Sequence, residues 1–214
     1  MRQPYVCFFG PDGSGKTTLS RYLMVHAARS LGTRKVRRAW FRGTHTLASL
    51  IARLLRRFRT LRGPCNPYYE ICVPRALKAP WMLIEIASII PVLLAKLYVP
   101  LIMGYFVIGE RGIIDFLVWM SLTLRSPELV KGFVGRALIA LARSVGISIY
   151  VRAAPEVLKY RRRGSPEEGA LGFQLIVYDA IAKAYNFPKI DTSKRGVMDC
   201  LNEVLTVIGL ESEG

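Results

Sequence analysis

Tyr5-Val6-Cys7-Phe8-Phe9 runs directly into Gly10-Pro11-Asp12-Gly13-Ser14-Gly15-Lys16-Thr17, and the helix-forming stretch from Thr17 to Leu31 follows, closed by Gly32. An apolar β-prone run, a glycine-rich turn and a helix, in that order, are strand, loop and helix. The turn matches Gly-x-x-x-x-Gly-Lys-Thr at every fixed position of a phosphate-binding P-loop. Its glycines let the backbone wrap so that successive N–H groups and the helix N-terminus point at phosphate oxygens. In that arrangement Gly10, Asp12, Gly13, Ser14, Gly15 and Thr18 are expected to surround the phosphates of a nucleoside triphosphate. Lys16 reaches the β and γ phosphates, and the Thr17 hydroxyl ligates Mg²⁺.

Outward from this turn, Lys35 to Phe41 suits a second strand and the stretch from about Thr46 to Arg62 a helix, after which Gly63, Pro64, Asn66 and Pro67 mark a loop. The apolar segment from about 79 to 103 reads as helical, with Pro91 kinking or breaking it and Gly104 ending it. Tyr105 to Gly109 and Ile147 to Val151 read as buried parallel strands on either side of a helical region from Pro127 to Arg143. A helix from Pro155, a loop, a helix from about Ala170 to Tyr185, a strand near Pro188 to Ile190 and a helix from Val197 to Ile208 complete the pattern. This alternation predicts a three-layer α/β/α P-loop fold with a five-stranded parallel sheet and right-handed crossovers. No composition shift or flexible linker divides the 214 residues, so 1–214 is expected to be one domain.

The apolar fraction of 51%, the mean hydropathy of +0.27 and a charged fraction of 21% exclude a disordered chain. A net charge of +16 creates a field that concentrates anions such as nucleotides, nucleic acid or acidic lipid head groups. The excess is mostly arginine, clustered at Arg34 to Arg38, Arg53 to Arg62 and Tyr160 to Arg163. The chain has no zinc-finger, RNP or helix-turn-helix signature, which argues against nucleic acid as the partner. Cys7, Cys65, Cys72 and Cys200 lack both CxxC spacing and neighbouring histidines, so no zinc site is expected. Met1 stands only a few residues before the first strand, leaving no room for a cleavable signal. The expectation is a cytoplasmic protein, where disulfides are rare outside hyperthermophiles, and the arginine-rich, Ile/Leu/Val-rich composition fits such a source. Ala79 to Ala95 is long enough for a short membrane span but contains Glu85 and Pro91, so it reads as a core or subunit-interface helix, with a membrane role as the lesser alternative.

A phosphate clamp needs a carboxylate at the end of a neighbouring strand to orient Mg²⁺, and Glu110 directly follows the Tyr105 to Gly109 strand, with Arg111 beside it. Asp115 is either a helix-start carboxylate or a second acid at the acceptor. Tyr160-Arg161-Arg162-Arg163-Gly164-Ser165-Pro166 forms a basic loop, about 160–169, where arginines could neutralise charge on a transferred phosphoryl group. Three adjacent arginines cannot all face one ligand, so at least one is solvated.

In this order the residues resemble the thymidylate kinase family of nucleoside monophosphate kinases. The likeness rests on Gly10 to Leu19, Val99-Pro100-Leu101-Ile102, Val107-Ile108-Gly109-Glu110-Arg111, Val151 to Lys159 and Ile190-Asp191-Thr192-Ser193. It implies ATP and Mg²⁺ as cofactors, transfer to a nucleoside monophosphate with dTMP the expected acceptor, and a homodimer. It further implies that Asp12 lies near the acceptor sugar, that Arg111 grips the acceptor phosphate, and that Asp191, Thr192 and Ser193 form the adenine-side loop. Gly13 is not an arginine, so the catalytic arginine is expected in the lid among Arg161, Arg162 and Arg163. Glu110 stands where the family carries aspartate, and Trp40-Phe41-Arg42-Gly43-Thr44-His45 replaces the family's acidic loop while keeping Arg42 for the substrate. Two alternatives follow from these differences and from the charge. One is a P-loop kinase for another, apolar acceptor; the other is a nucleotide-dependent protein binding nucleic acid or membrane through Arg53 to Arg62.

Overall fold

The computed structural model describes residues 4–31, 35–41, 47–63, 65, 66 and 68–210. Strand β1 (Tyr5–Phe9) is apolar and buried at every position, which a strand can be only when both faces of its sheet are covered. It pairs in parallel with β3 (Phe106–Glu110) on one side and β4 (Ile147–Arg152) on the other. The edges are β2 (Val36–Trp40) beside β3 and β5 (Lys189–Asp191) beside β4, giving the order β2-β3-β1-β4-β5 with every pair parallel.

The helices are α1 (Lys16–Leu31), α2 (Leu47–Leu55), α3 (Lys78–Leu93), α4 (Val99–Ile102), α5 (Ile113–Thr123), α6 (Phe133–Val145), α7 (Pro155–Arg161), α8 (Leu171–Ala184) and α9 (Val197–Ile208). Alternate residues of the strands divide between two cores. Val6, Phe8, Ile108, Ile149 and Val151 pack under α1 and α9, and Tyr5, Cys7, Phe9, Val107 and Tyr150 pack under α2, α3, α5, α6 and α8. This is the three-layer, all-parallel P-loop α/β/α fold that the sequence predicts.

The register positions the chemistry. Phe8 pairs with Glu110, so the carboxyl end of β3 lies beside the exit of β1 into the P-loop. The loop leaves the sheet at Gly10, where φ is +145° and a Cβ would lie 2.2 Å from the Val151 carbonyl oxygen of β4. Only glycine can pass the neighbouring backbone that closely.

Several local expectations are corrected. Helix α2 stops at Leu55 instead of continuing to Arg62. Arg57 and Phe58 make turn bonds to Leu54 and Leu55 instead, and Leu61 and Gly63 pair with Cys72 and Glu70 in a short antiparallel turn. That turn carries a Cys65–Cys72 disulfide, which the spacing had not suggested. Pro91 neither breaks nor ends its helix. Residues Arg75–Ile102 form one continuous 28-residue helix, and the ladder bond that Pro91 cannot donate is followed by a π-helical turn, Leu94–Tyr98. This helix is not a core element along its length, since only 28% of its most apolar 18-residue stretch is buried. Glu110 closes β3 instead of following it, and α5 is a buried helix whose apolar residues surround it on all sides.

Candidate active site

Lys16 opens α1 at the exit of the P-loop, and its side chain is buried. Its ammonium donates to the carbonyl oxygens of Gly10 at 2.5 Å and Pro11 at 2.7 Å. Burial, reinforced by the nearby Arg111 guanidinium, pulls its pKa down to about 8. A buried cation resting on two carbonyls gains from any phosphate that replaces them. Gly13 and Gly15, at φ +87° and +98°, turn the backbone between Asp12 and Lys16. The Ser14 hydroxyl is wholly buried with no hydrogen-bond partner among the described residues.

A cleft of about 360 Å³ opens in front of this loop, and much of the anticipated site lines it: Asp12, Gly13, Gly15, Lys16, Thr17 and Thr18, with Arg111, Arg161, Arg162 and Thr192. Arg161 donates to the Gly13 carbonyl at 3.1 Å and to the Thr192 hydroxyl and carbonyl at 3.2 and 3.1 Å, bridging the loop after β5 to the P-loop. Arg162 packs against Gly13, whereas Arg163 is exposed and does not line the cleft. The Thr192 hydroxyl donates to the Ser14 carbonyl at 2.8 Å. Asp191 and Ser193 stay behind this lining: Asp191 pairs with Arg152 and accepts from Ser193, and the Ser193 hydroxyl accepts from the Ala154 N–H.

At the carboxyl end of β3 the Glu110 carboxylate accepts hydrogen bonds from the Thr17 hydroxyl, from Ser20 at 3.4 Å, and from Arg38 of β2. A hydroxyl and a carboxylate oxygen in contact beside a phosphate loop are the hard oxygen donors that Mg²⁺ prefers, and a nucleotide-bound Mg²⁺ needs only one or two of them from the protein. The donor set therefore fits the metal. The Arg38–Glu110 pair had no local sequence signal.

Arg111 stands at φ +66°, a left-handed conformation that costs a non-glycine residue about 1 kcal/mol or more. Its guanidinium pairs with the buried Asp12 carboxylate. Burial alone would raise the Asp12 pKa, but the Arg111 and Lys16 charges outweigh it and hold the carboxyl below its ordinary value. Gln174 of α8 completes the arrangement, its side-chain oxygen accepting from the Asp12 N–H at 3.0 Å and its nitrogen donating to the carboxylate at 3.3 Å. Of the two readings of Asp115, the structure shows the helix-start carboxylate. It is buried at the start of α5, and its oxygens are taken up by the N–H groups of Gly10 at 3.3 Å and Gly112 at 2.9 Å and by the Tyr178 hydroxyl at 2.8 Å. It braces the P-loop against α5, and burial raises its pKa despite Lys16 and Arg111 nearby. Arg42 lies outside the described residues, as do Gly43, Thr44 and His45.

Between Asp12, Arg111, Gln174 and Tyr178 lies a cavity of only about 30 Å³, walled by Phe41, Phe116 and Trp119. Tyr68 and Tyr69, from the short antiparallel turn, meet Trp119. Within that turn Asn66 accepts from the N–H groups of Tyr68 and Tyr69 at 2.9 Å, and Tyr68 rests against Trp119 with ring centres 5.1 Å apart. The Tyr68 hydroxyl donates to Glu167 in the loop before α8. Tyr69 packs edge-on to Trp81 and Trp119 and, with the Trp81 ring nitrogen, hydrogen-bonds the buried Glu85 of α3.

By sequence the chain matches no protein-family profile and no curated protein. In three dimensions it is similar to the crystal structure of thymidylate kinase from Ehrlichia chaffeensis, with 19% identity over 96% of this chain and 98% of that one, at a TM-score of 0.59. That likeness establishes the fold. Sequence reasoning missed Gln174, Tyr178, Arg38 and the cleft residue Arg195. Gln174 and Tyr178 did leave one signal, as two polar-tipped side chains spaced i, i+4 on one face of a largely apolar helix.

Proposed function

We propose that the chain catalyses ATP- and Mg²⁺-dependent phosphoryl transfer to a nucleoside monophosphate, with dTMP as the leading acceptor. The observation that carries this reading is the convergence of Lys16, Arg111, Arg161 and Arg162 on one cleft at the carboxyl ends of β1 and β3. In-line transfer between two anions needs alignment and positive charge more than an acid or a base, and four cations around one phosphate loop supply both. Lys16 would hold the β and γ phosphates, Arg161 and Arg162 would balance charge on the group in flight, and Arg111, steadied by Asp12, would grip the acceptor phosphate. Mg²⁺ held by Thr17 with Glu110 would add neutralising charge at the donor phosphates.

The narrow cavity beside Asp12 favours a second acceptor class. Its walls are aromatic and its free space is small, so a base would enter only by displacing the lining around Trp119, against which Tyr68 rests. A slimmer apolar alcohol or phosphate would demand less.

The test is ADP release from ATP and Mg²⁺ against a panel of nucleoside monophosphates, nucleosides and apolar alcohols. Transfer to dTMP supports the reading; ATP binding with no accepted monophosphate sinks it. A pH prediction accompanies it. The phosphate-bound form requires the lysine protonated, and free Lys16 loses its proton near pH 8. ATP affinity should therefore be flat below that point and fall towards tenfold per unit above it, as followed by calorimetric titration across the range. Affinity that stays flat well past pH 9 would show that Lys16 does not meet the phosphates as a cation released from burial.

A further inference from the structure

We infer that the α2–α3 face is a docking surface for an anionic lipid bilayer. On α2, Leu47, Leu50 and Leu54 recur at i, i+3 and i+7, with Phe58 one turn beyond, and each is more than half exposed. The opposite side of α2 is the one that packs inward: Ala48 and Ala52 are buried, and the Ala48 N–H donates to the Ser88 hydroxyl of α3 at 2.9 Å. The leucines are thus not spare core residues but a second apolar face, exposed among the described residues. Residues 47–62 hold five arginines and no carboxylate. Arg53, Arg57, Arg59 and Arg62 are exposed and have no ion-pair partner among the described residues.

The adjoining long helix repeats the pattern. Leu83, Leu94 and Ile102 are more than half exposed along its outward side. Its inward side is committed to the fold through Trp81, Ile89, Leu93 and the hydrogen-bonded Glu85, so the helix cannot leave the core to cross a bilayer. It can only lie along one.

Charge selects the occupant. A second copy docked through a two-fold axis on the α2 stripe would set the same four arginines of each chain against one another. Nucleic acid would satisfy the arginines and leave the leucines in water. An anionic bilayer satisfies both, with phosphates at the arginines and the acyl boundary at the leucines.

The test is co-sedimentation of the full chain with vesicles of phosphatidylcholine alone and with roughly a quarter phosphatidylglycerol, at about 0.1 M and about 0.5 M salt. Binding is expected only to the anionic vesicles and should weaken at the higher salt. Arg57→Ala with Arg59→Ala should weaken it about thirtyfold, and Leu50→Gln with Leu54→Gln about tenfold. All four positions are exposed, so thermal melting should be unchanged, and the arginine pair stands outside the helix and tests the surface without touching α2. Failure to bind anionic vesicles overturns the proposal. So does binding that the leucine variant retains in full, which would leave charge alone acting. A sedimenting dimer that the leucine variant dissolves also overturns it and gives the face to a second copy.

Discussion

Lys16→Ala is expected to leave the protein folded and to cut ATP turnover by about 10²–10³-fold, the cost of removing one preorganised donor from developing phosphate charge. Two consequences separate here because the resting position of Lys16 is itself uncomfortable. The ammonium is buried near Arg111 and held by two carbonyls, so deletion removes a like-charge neighbour while orphaning those two acceptors. The two effects oppose, and a melting temperature close to that of the parent is expected alongside the lost turnover. A variant that unfolds, or one that turns over ATP normally, would place Lys16 in the scaffold and out of the reaction.

Arg111→Met should be the more damaging change, because it strikes stability and transfer together. Asp12 would keep its burial and lose the guanidinium that offsets it, and breaking a buried pair by removing one partner costs about 3–5 kcal/mol. The pH dependence follows from the direction of the Asp12 shift. Its folded-state pKa lies below its unfolded value, so the pair's contribution is present above the unfolded pKa and is lost as pH falls through the folded one. In the variant the strongest of the charges that lower this carboxyl is gone while its burial remains. Its deficit against the parent should be largest near neutrality and shrink as the pH drops through the ordinary carboxylate range. Adding Asp12→Asn to Arg111→Met should recover most of the lost stability in denaturant melts and none of the transfer. Recovery of both would show that Arg111 serves the fold alone.

What the sequence made legible was local. The strand, loop and helix from Tyr5 to Leu31, the buried strands β3 and β4, and the boundaries of α9 all follow from runs of a few residues whose patterning reports their surroundings directly. Helix α5 escaped because its residues, Ile113 through Met120, are apolar on nearly every side and rich in β-branched and aromatic types, so no helical stripe stands out. The partners of the site residues escaped for a different reason. Gln174 meets Asp12 across 162 residues, Tyr178 meets Asp115 across 63, and Arg38 meets Glu110 across 72, and no local period encodes such pairs. The left-handed backbone at Arg111 is equally silent in a residue type that rarely adopts it. Pro91 misled because its missing donor was weighed alone, whereas the packed inward face of the helix carries the chain through the fault.

The buried Glu85, which bonds Trp81 within the long helix and joins that helix to Tyr69 of the turn, also makes that junction sensitive to protons. Burial pushes its carboxyl up to about 7, above the ordinary 4.5, and the two ring donors only partly counter that. Between those values the folded chain binds a proton that the unfolded chain has released, so this contribution is fully present only below about 4.5, declines progressively as pH climbs, and is gone once pH has risen through 7. The apolar helix is therefore clamped to the aromatic turn most firmly in acid, and the clamp weakens progressively as the pH climbs from about 4.5 to about 7.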